Sequence, residues 1–345
     1  MMRRRLPLCL ALVSLLLMVP SREVPGEISG APGTPEPRTL VVALDGTGEY
    51  RLIQEAVDAA RPGDTILIKA GEYAEDVTIH SKDRLRVTGE RVDRVKILGR
   101  NRVGSFHIGK WPYGATNVEI SAMTIEQHGG LALGMFNGKG VLLRGVRVNG
   151  LVFGQQVEDV RLEDCNVGGS ETTGVQLADS QAVLVGNVIH DNDHGITVAG
   201  KSDVRLERNV ITGNLFEAVV INDNAKAVVV SNTIAKNGGG IAFLQTSRGE
   251  ASGNVIGLNK VGIAISPSSR PMLSYNALYN SEHNYVRAGA TPVPAPDLRA
   301  DTDLAVEPRF VNAGEGDFRL RVDSALVGVG AFAYLGALPP FGAVK

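Results

Sequence analysis

Short stretches of alternating apolar and polar residues recur along the chain with a period close to 22 residues. The pattern is clearest in GNVIHDNDHGITV (186–198), SNTIAKNGGGIAFL (231–244) and GNVIGLNKVGIAI (253–265). Apolar residues at every second position, such as Ile196 and Val198, are typical of β-strands that bury one face. Each repeat therefore predicts short strands rather than helices.

Polar residues mark the same two points in successive repeats. Two asparagines in phase with an apolar pattern predict ladders, because stacked side-chain amides bond to each other and to the backbone of their turn. Cys165 occupies an asparagine position, so we interpret it as a buried thiol and not as a nucleophile. The first position is occupied by Met123, Gly145, Cys165, Asn187, Asn209, Asn232, Asn254 and Asn276, with spacings of 22, 20, 22, 22, 23, 22 and 22. The second position is occupied by Asn192, Asn214, Asn237 and Asn259.

A period near 22 residues with two or three strands predicts one coil of a parallel β-helix. Like residues then stack at the strand spacing of ~4.8 Å. The leucine-rich repeat has a similar period, but its L-x-x-L-x-L frame is missing. We predict an all-β fold, a right-handed single-stranded parallel β-helix of roughly ten coils. This domain would cover residues 39–335, with a C-terminal tail over 336–345.

Both ends of the repeat predict caps. The segment EYRLIQEAVDAAR (49–61) is amphipathic and is followed by Pro62-Gly63, which predicts a short helix over the first coil. At the other end we predict a loop over 288–300, followed by short strands over 307–320 that cap the last coil. The predicted apolar face of the helix consists of Leu52, Ile53, Ala56, Val57 and Ala60.

Charge and the first residues restrict the location and the partners. The 345 residues include 35 Lys and Arg against 37 Asp and Glu, which argues against a basic nucleic-acid-binding surface. Three arginines followed by the apolar stretch 6–19 predict a signal peptide over 1–20, with an uncleaved membrane anchor as the alternative. Residues 21–38 are rich in Pro and Gly and predict a flexible linker. We therefore expect a periplasmic or extracellular monomer without a membrane span in the mature chain.

The segment over 41–79 resembles the opening of pectin-lyase-like right-handed β-helix proteins, notably the pectin methylesterases. The matching elements are D-G-T-G-x-Y, I-Q-E-A-V-D-A-A, P-G-D-T-I, and G-x-Y-x-E at Gly71, Tyr73 and Glu75. The repeats over about 160–280 resemble carbohydrate-binding and sugar-hydrolase repeats, a group that includes periplasmic maturation proteins of copper reductases. The resemblance implies the fold and a carbohydrate partner. The aspartate-bearing Q-D-T-L and D-F-I-F-G segments of pectin methylesterases are absent, so esterase activity is not expected.

The turn H-D-N-D-H over 190–194 carries the most unusual chemistry. Two histidines and two carboxylates could supply an acid and a base at a sugar, or could bind a divalent cation such as calcium. The alternative is a solvated turn whose adjacent side chains point apart. The sequence requires no cofactor, so calcium is only a candidate. The candidate catalytic residues are His190, Asp191, Asp193 and His194.

Three further residues are candidates for substrate binding. Trp111 lies in the loop GKWPYG, where its ring could stack on a sugar or instead pack over an early coil. Asp179 and Asp223 follow apolar strands two coils apart, which places them ~10 Å apart on either side of Gly200-Lys201. That separation is near the upper limit for a pair of inverting carboxylates, and two polar turn residues are the alternative.

The sequence therefore predicts an exported β-helix that binds or processes an acidic polysaccharide, as a lyase or a hydrolase. Two alternatives remain. A non-catalytic scaffold or surface protein would show no convergence of polar groups. A periplasmic metal-handling accessory protein would use the same His/Asp turn and retain metal without binding sugar.

Overall fold

The computed structural model describes residues 36–100 and 104–342, which form a parallel β-helix of about eleven coils. The predicted signal peptide over 1–20, most of the predicted linker and the last three residues lie outside the described part. No helix in the described part is long and apolar enough to cross a membrane.

Each coil contributes strands to three sheets that run the length of the molecule. The first sheet contains Thr39–Val42, Thr65–Ile68, Arg86–Gly89, Glu119–Ser121, Leu142–Arg144, Val160–Glu163, Gln181–Val185, Asp203–Glu207, Lys226–Val230, Arg248–Ser252 and Met272–Ser274. The second contains Gly71–Ala74, Val95–Leu98, Asn166–Gly168, Val188–His190, Val210–Thr212, Thr233–Ala235, Val255–Gly257 and Ala277–Tyr279. The third contains Val77–Ile79, Phe106–Ile108, Thr173–Ala178, His194–Ala199, Glu217–Ile221, Gly239–Phe243, Val261–Ile265 and His283–Arg287. Two long strands, Thr124–Phe136 and Arg147–Gln155, run from the second sheet into the third.

Three turns separate the sheets, except in the two coils where a long strand takes the place of the turn between the second and third sheets. We call the turn between the first and second sheets the first turn, that between the second and third sheets the second turn, and that leading into the next coil the third turn. The parallel register stacks Val175 on Ile196 and Ile196 on Val219. Because alternate residues point inwards, such stacks from all three sheets form one continuous apolar core.

The first asparagine ladder occupies the first turn. Each backbone N–H donates to the side-chain Oδ1 of the next coil at 2.9–3.3 Å, from Cys165 through Asn276. The buried carboxylate of Asp303 closes the ladder by accepting from the N–H of Asn276 at 2.7 Å. Cys165 is buried as predicted, and burial raises the pKa of its thiol to about 11, so it is a poor nucleophile.

One predicted ladder position is wrong. The strand pairing aligns Val146, rather than Gly145, with Cys165, because Arg147 pairs with Asn166 and with Thr124. Gly145 takes the left-handed conformation (φ +59°) that precedes the ladder residue, as Asp164 does in the next coil. Gly145 therefore provides the left-handed conformation that the turn needs and is not a member of the ladder.

The second asparagine ladder occupies the second turn. The backbone N–H of Ser170 donates to Asn192, and the same bond repeats in each coil as far as Asn280, at 2.9–3.2 Å. These amides are buried and pair polar backbone groups that the coil would otherwise leave without partners. Both ladders are thus structural, as the sequence predicts.

A helix covers the first coil, over Ile53–Ala59. Ile53, Ala56 and Val57 are buried, but Leu52 is 42% exposed because it is the residue preceding the helix and not part of its buried face. The buried Glu75 accepts hydrogen bonds from the N–H groups of Ile53 and Gln54 at 2.9 and 3.2 Å. The G-x-Y-x-E element therefore fixes the start of the cap.

The C-terminal residues are arranged differently from the prediction. The last coil is covered by residues 288–304, with the strand Val293–Pro294 antiparallel to His283–Arg287 and a 3-10 turn at Pro296–Leu298. The remaining residues, which we call the C-terminal segment (305–342), contain a 3-10 turn at Ala313–Glu315 and two antiparallel pairs, Phe310–Asn312 with Asp317–Leu320 and Val327–Val329 with Phe332–Tyr334.

The C-terminal segment lies on the outer face of the second sheet. It covers apolar side chains that point away from the core, among them Val255 and Ala277, which pack with Leu320, Leu326 and Leu335. The prediction that 307–320 caps the last coil is therefore wrong, because this apolar outer row needs cover.

Candidate functional site

The turn over 190–194 divides into two separate groups. His190 ends a strand of the second sheet, and its Nδ1 lies 2.7 Å from Asp191 and its Nε2 lies 3.1 Å from Oδ1 of Asn166. The ring lies over Gly168, where a Cβ atom would meet it at 2.8 Å. Both ring nitrogens of His190 are therefore engaged, which leaves none free for a substrate.

His194 begins a strand of the third sheet and has different partners. Its Nδ1 is buried and lies 3.3 Å from Oε2 of Glu217 in the next coil, while the imidazole as a whole is about one-third exposed. The imidazole of His194 holds the pKa of Glu217 below its ordinary value. The two atoms make no hydrogen bond at this distance, so Glu217 acts on the ring through its charge, which favours a proton on Nδ1 and leaves the outer nitrogen Nε2 to accept a proton.

The second turn that follows Asn214 has one extra residue, which places an aromatic ring beside His194. The coil from Asn214 to Asn237 is one residue longer than its neighbours, and Gly238 and Gly239 bond to the carbonyls of Asn214 and Phe216, skipping Leu215. The insertion turns Leu215 and Phe216 outwards, and they are 63% and 48% exposed. The ring of Phe216 then lies 5.2 Å from that of His194.

Glu217 and Phe216 were missed by the sequence reasoning, although two signals were present. The ladder spacing rises to 23 residues in this coil only, and Ala218 replaces the glycine found in neighbouring repeats. Together with His194 they form one group, which we call the second-turn cluster (His194, Phe216, Glu217). The coil beyond it carries only glycines at 238–240, and Gly239 stacks directly on Glu217.

The remaining candidates of the turn do not join in a metal site. Asp191 and Asp193 are separated by Asn192, whose side chain points inwards into the ladder. Within residues 36–100 and 104–342, no group of three or more His, Cys, Asp and Glu side chains could hold a metal ion.

Asp179 and Asp223 lie on either side of the turn Gly200-Lys201. Asp179 accepts from the N–H of Lys201 at 2.9 Å, and Asp223 accepts from the N–H of Gly200 at 3.0 Å. Both side chains therefore stabilise the turn that leads into the next coil. This turn lies at the opposite end of the strand that begins with His194. The structure does not bring them together with the second-turn cluster.

Trp111 is 70% exposed, in a loop between the third and first sheets. It lines a cavity of about 270 Å³ together with Phe136, Asn137, Gln155 and Gln156. The loop thus leaves the indole accessible and does not bury it over an early coil.

The family is defined by the coil repeat. A family model described as "Right handed beta helix region" matches residues 66–214 and 173–290, which together exceed half of the chain. The chain belongs to this right-handed β-helix family. None of the curated proteins matches the sequence.

Solved structures resemble this right-handed β-helix across most of its length. A pectate lyase, Pel9A, has a TM-score of 0.54 and 14% identity over 89% of this chain and 98% of its own. The A-module of the mannuronan C-5 epimerase AlgE6 from Azotobacter vinelandii has a TM-score of 0.54 and 16% identity, over 68% of this chain and 71% of its own. Both confirm the predicted fold class.

Proposed function

We propose that this protein is exported, binds an acidic polysaccharide along its second turns and cleaves it by β-elimination, with His194 as the general base. The observation that carries the proposal is the pairing of His194 with the ionised Glu217 beside the exposed ring of Phe216. A base beside a carboxylate can abstract a proton, and an adjacent aromatic face can hold a sugar ring against it.

The reaction uses these groups as follows. Nε2 of His194 removes the proton from the carbon that bears the sugar carboxylate. The electron pair of that bond forms a carbon–carbon double bond while the adjacent glycosidic carbon–oxygen bond breaks, and the leaving oxygen takes a proton from water. Glu217 stabilises the imidazolium that forms.

Side chains along the same turns suit an extended acidic polymer. Phe216 offers a face on which a sugar ring can stack, and the exposed Lys260 follows two coils later. Successive coils are ~4.8 Å apart, so a polymer lying along the axis meets a new turn at about each sugar unit. Lys260 would then pair with a carboxylate beyond the unit that reacts.

A polymer-binding protein without catalysis is the second candidate. The outward row on the third sheet is uncharged and only partly exposed, so it could contact a sugar chain through its exposed members but supplies no acid or base. This row contains Gln176, Thr197, Val220, Ala242 and Ala264.

The test is an ultraviolet assay for unsaturated products on polygalacturonate, alginate and hyaluronan. We expect product from one polymer, a loss of at least about 100-fold in kcat for His194→Ala, and a higher KM for Phe216→Ala. The exposed His283, at the far end of the third sheet, provides the matched control, and His283→Ala should retain full activity.

Full activity in His194→Ala would place the reaction at another site. Binding to a polymer without product, by protein shown to be folded, would favour the second candidate.

A further inference from the structure

A second site lies at the third turns of the early coils, away from the second-turn cluster. Its loop, GKWPYG, is held at both ends by glycines that pack on backbone. A side chain at Gly109 (φ +86°) would collide with the carbonyl of Phe136, and one at Gly114 with the carbonyl of Asn137. Between them, the N–H of Lys110 donates to the carbonyl of Tyr113 at 2.6 Å. The loop is therefore fixed in position and presents Trp111 to solvent.

An aromatic ring, that of Phe136, lines the cavity together with Trp111. The ring of Phe136 lies 5.8 Å from that of Phe153 in the next coil and 6.0 Å from that of His107 in the preceding one. Phe136 is fixed by these rings, and the exposed indole of Trp111 lines the same cavity. Aromatic faces arranged in this way bind the apolar faces of sugar rings.

The polar part of the cavity consists of side-chain amides. Asn137, Gln155 and Gln156 line it, and no charged side chain among residues 36–100 and 104–342 does. Nδ2 of Asn137 is buried and has no hydrogen-bond partner within the described part of the chain. A buried N–H donor without an acceptor is costly, and a ligand hydroxyl would remove that cost once the Asn137 side chain turns towards the cavity.

We propose that this cavity binds one uncharged sugar unit, with Trp111 stacked on the ring and Asn137 and Gln155 bonded to its hydroxyls. The absence of lining charges favours a neutral sugar over an acidic one, because charged ligands need charged or strongly dipolar partners. The volume of about 270 Å³ is just below the usual range for small-molecule sites and suits a single ring. The site is independent of the proposed lyase reaction.

The chain contains one tryptophan, so its fluorescence reports on this cavity alone. The experiment titrates the full chain with neutral oligosaccharides of glucose, mannose and galactose, and with oligogalacturonate as the acidic counterpart. We expect one neutral series to shift the emission with saturation. Gln155→Ala and Asn137→Ser should each weaken binding about tenfold, the effect of one hydrogen bond.

Tyr113→Leu is the matched control, because Tyr113 is 62% exposed in the same loop but does not line the cavity. It should leave the titration unchanged, as should His194→Ala. A shift by no neutral oligosaccharide would overturn the proposal. So would a shift seen only with the acidic series and abolished by His194→Ala, which would make Trp111 part of the first site. A fluorescence shift with a neutral series, from wild-type protein that forms no unsaturated product from any of the acidic polymers, would count against the first proposal only.

Discussion

Asn232 links its own coil to both neighbouring coils through one side chain. Its Oδ1 accepts from the N–H of Asn209 at 2.9 Å, and its Nδ2 donates to the carbonyl of Leu206 at 2.9 Å and to Asn254 at 3.1 Å. Because the residue is fully buried, no water can replace these bonds. A polar side chain is therefore essential at this point of the core.

We predict that Asn232→Ala lowers the free energy of unfolding by about 3 kcal/mol, since it leaves two buried backbone groups without partners. Urea denaturation followed by circular dichroism measures the change. Asn224→Ala is the control, because Asn224 is exposed and should cost less than about 0.5 kcal/mol. Equal losses in the two variants would contradict a role for burial.

At the scale of elements, the sequence predicts most of the fold and only part of the site. The asparagine period identifies the coils because stacked amides and alternating apolar residues are local, repeated signals. The pairing of His194 with Glu217 is not local, since it depends on the register of two strands and on the single extra residue Leu215. The ladder residue of the coil before Cys165 also depends on strand register, which is why the sequence alone predicts Gly145 there instead of Val146.

The strand Thr65–Ile68 begins beside a buried carboxylate, whose ionisation should make the stability of the fold depend on pH. Burial alone would raise the pKa of Asp64, but hydrogen bonds from the side chain and N–H of Arg38 and from the N–H of Arg61 outweigh it. The pKa falls from 3.8 to about 2. A lowered pKa stabilises the fold above the unfolded value, so this contribution is present above about pH 4 and is lost as pH falls towards 2.

We therefore predict that Asp64→Asn destabilises the protein by about 1–2 kcal/mol at pH 7, the lower value allowing for the half-exposed guanidinium of Arg38. Melting temperatures of both proteins between pH 2 and 7 test this. The difference between wild type and variant should narrow below pH 4. A constant difference over the whole range would show that ionisation of Asp64 is not its cause.

At the scale of the whole molecule, the β-helix is closed at its two ends and covered along one side. The helix Ile53–Ala59 and residues 288–304 close the ends, whereas the C-terminal segment covers the second sheet. No repeat pattern predicts this cover, because the segment lies outside the repeats. The outward row Val210, Thr233, Val255 and Ala277 was nevertheless a sequence signal, since it is apolar where earlier coils carry Arg147 and Asn166.

This arrangement predicts the effect of removing residues 308–345. The cut keeps Asp303, which closes the first ladder, and Leu304, which bridges to Ala277, so the coils should remain folded by circular dichroism. It exposes Val255 and its neighbours, so the truncated chain should bind a hydrophobic dye and self-associate in sedimentation experiments. Adding Val255→Thr and Ala277→Ser to the truncated chain should reduce both effects, because the polar side chains remove the exposed apolar row. A truncated chain that stays monomeric without binding dye, or one whose coils unfold, would show that the segment is not simply a cover for this sheet.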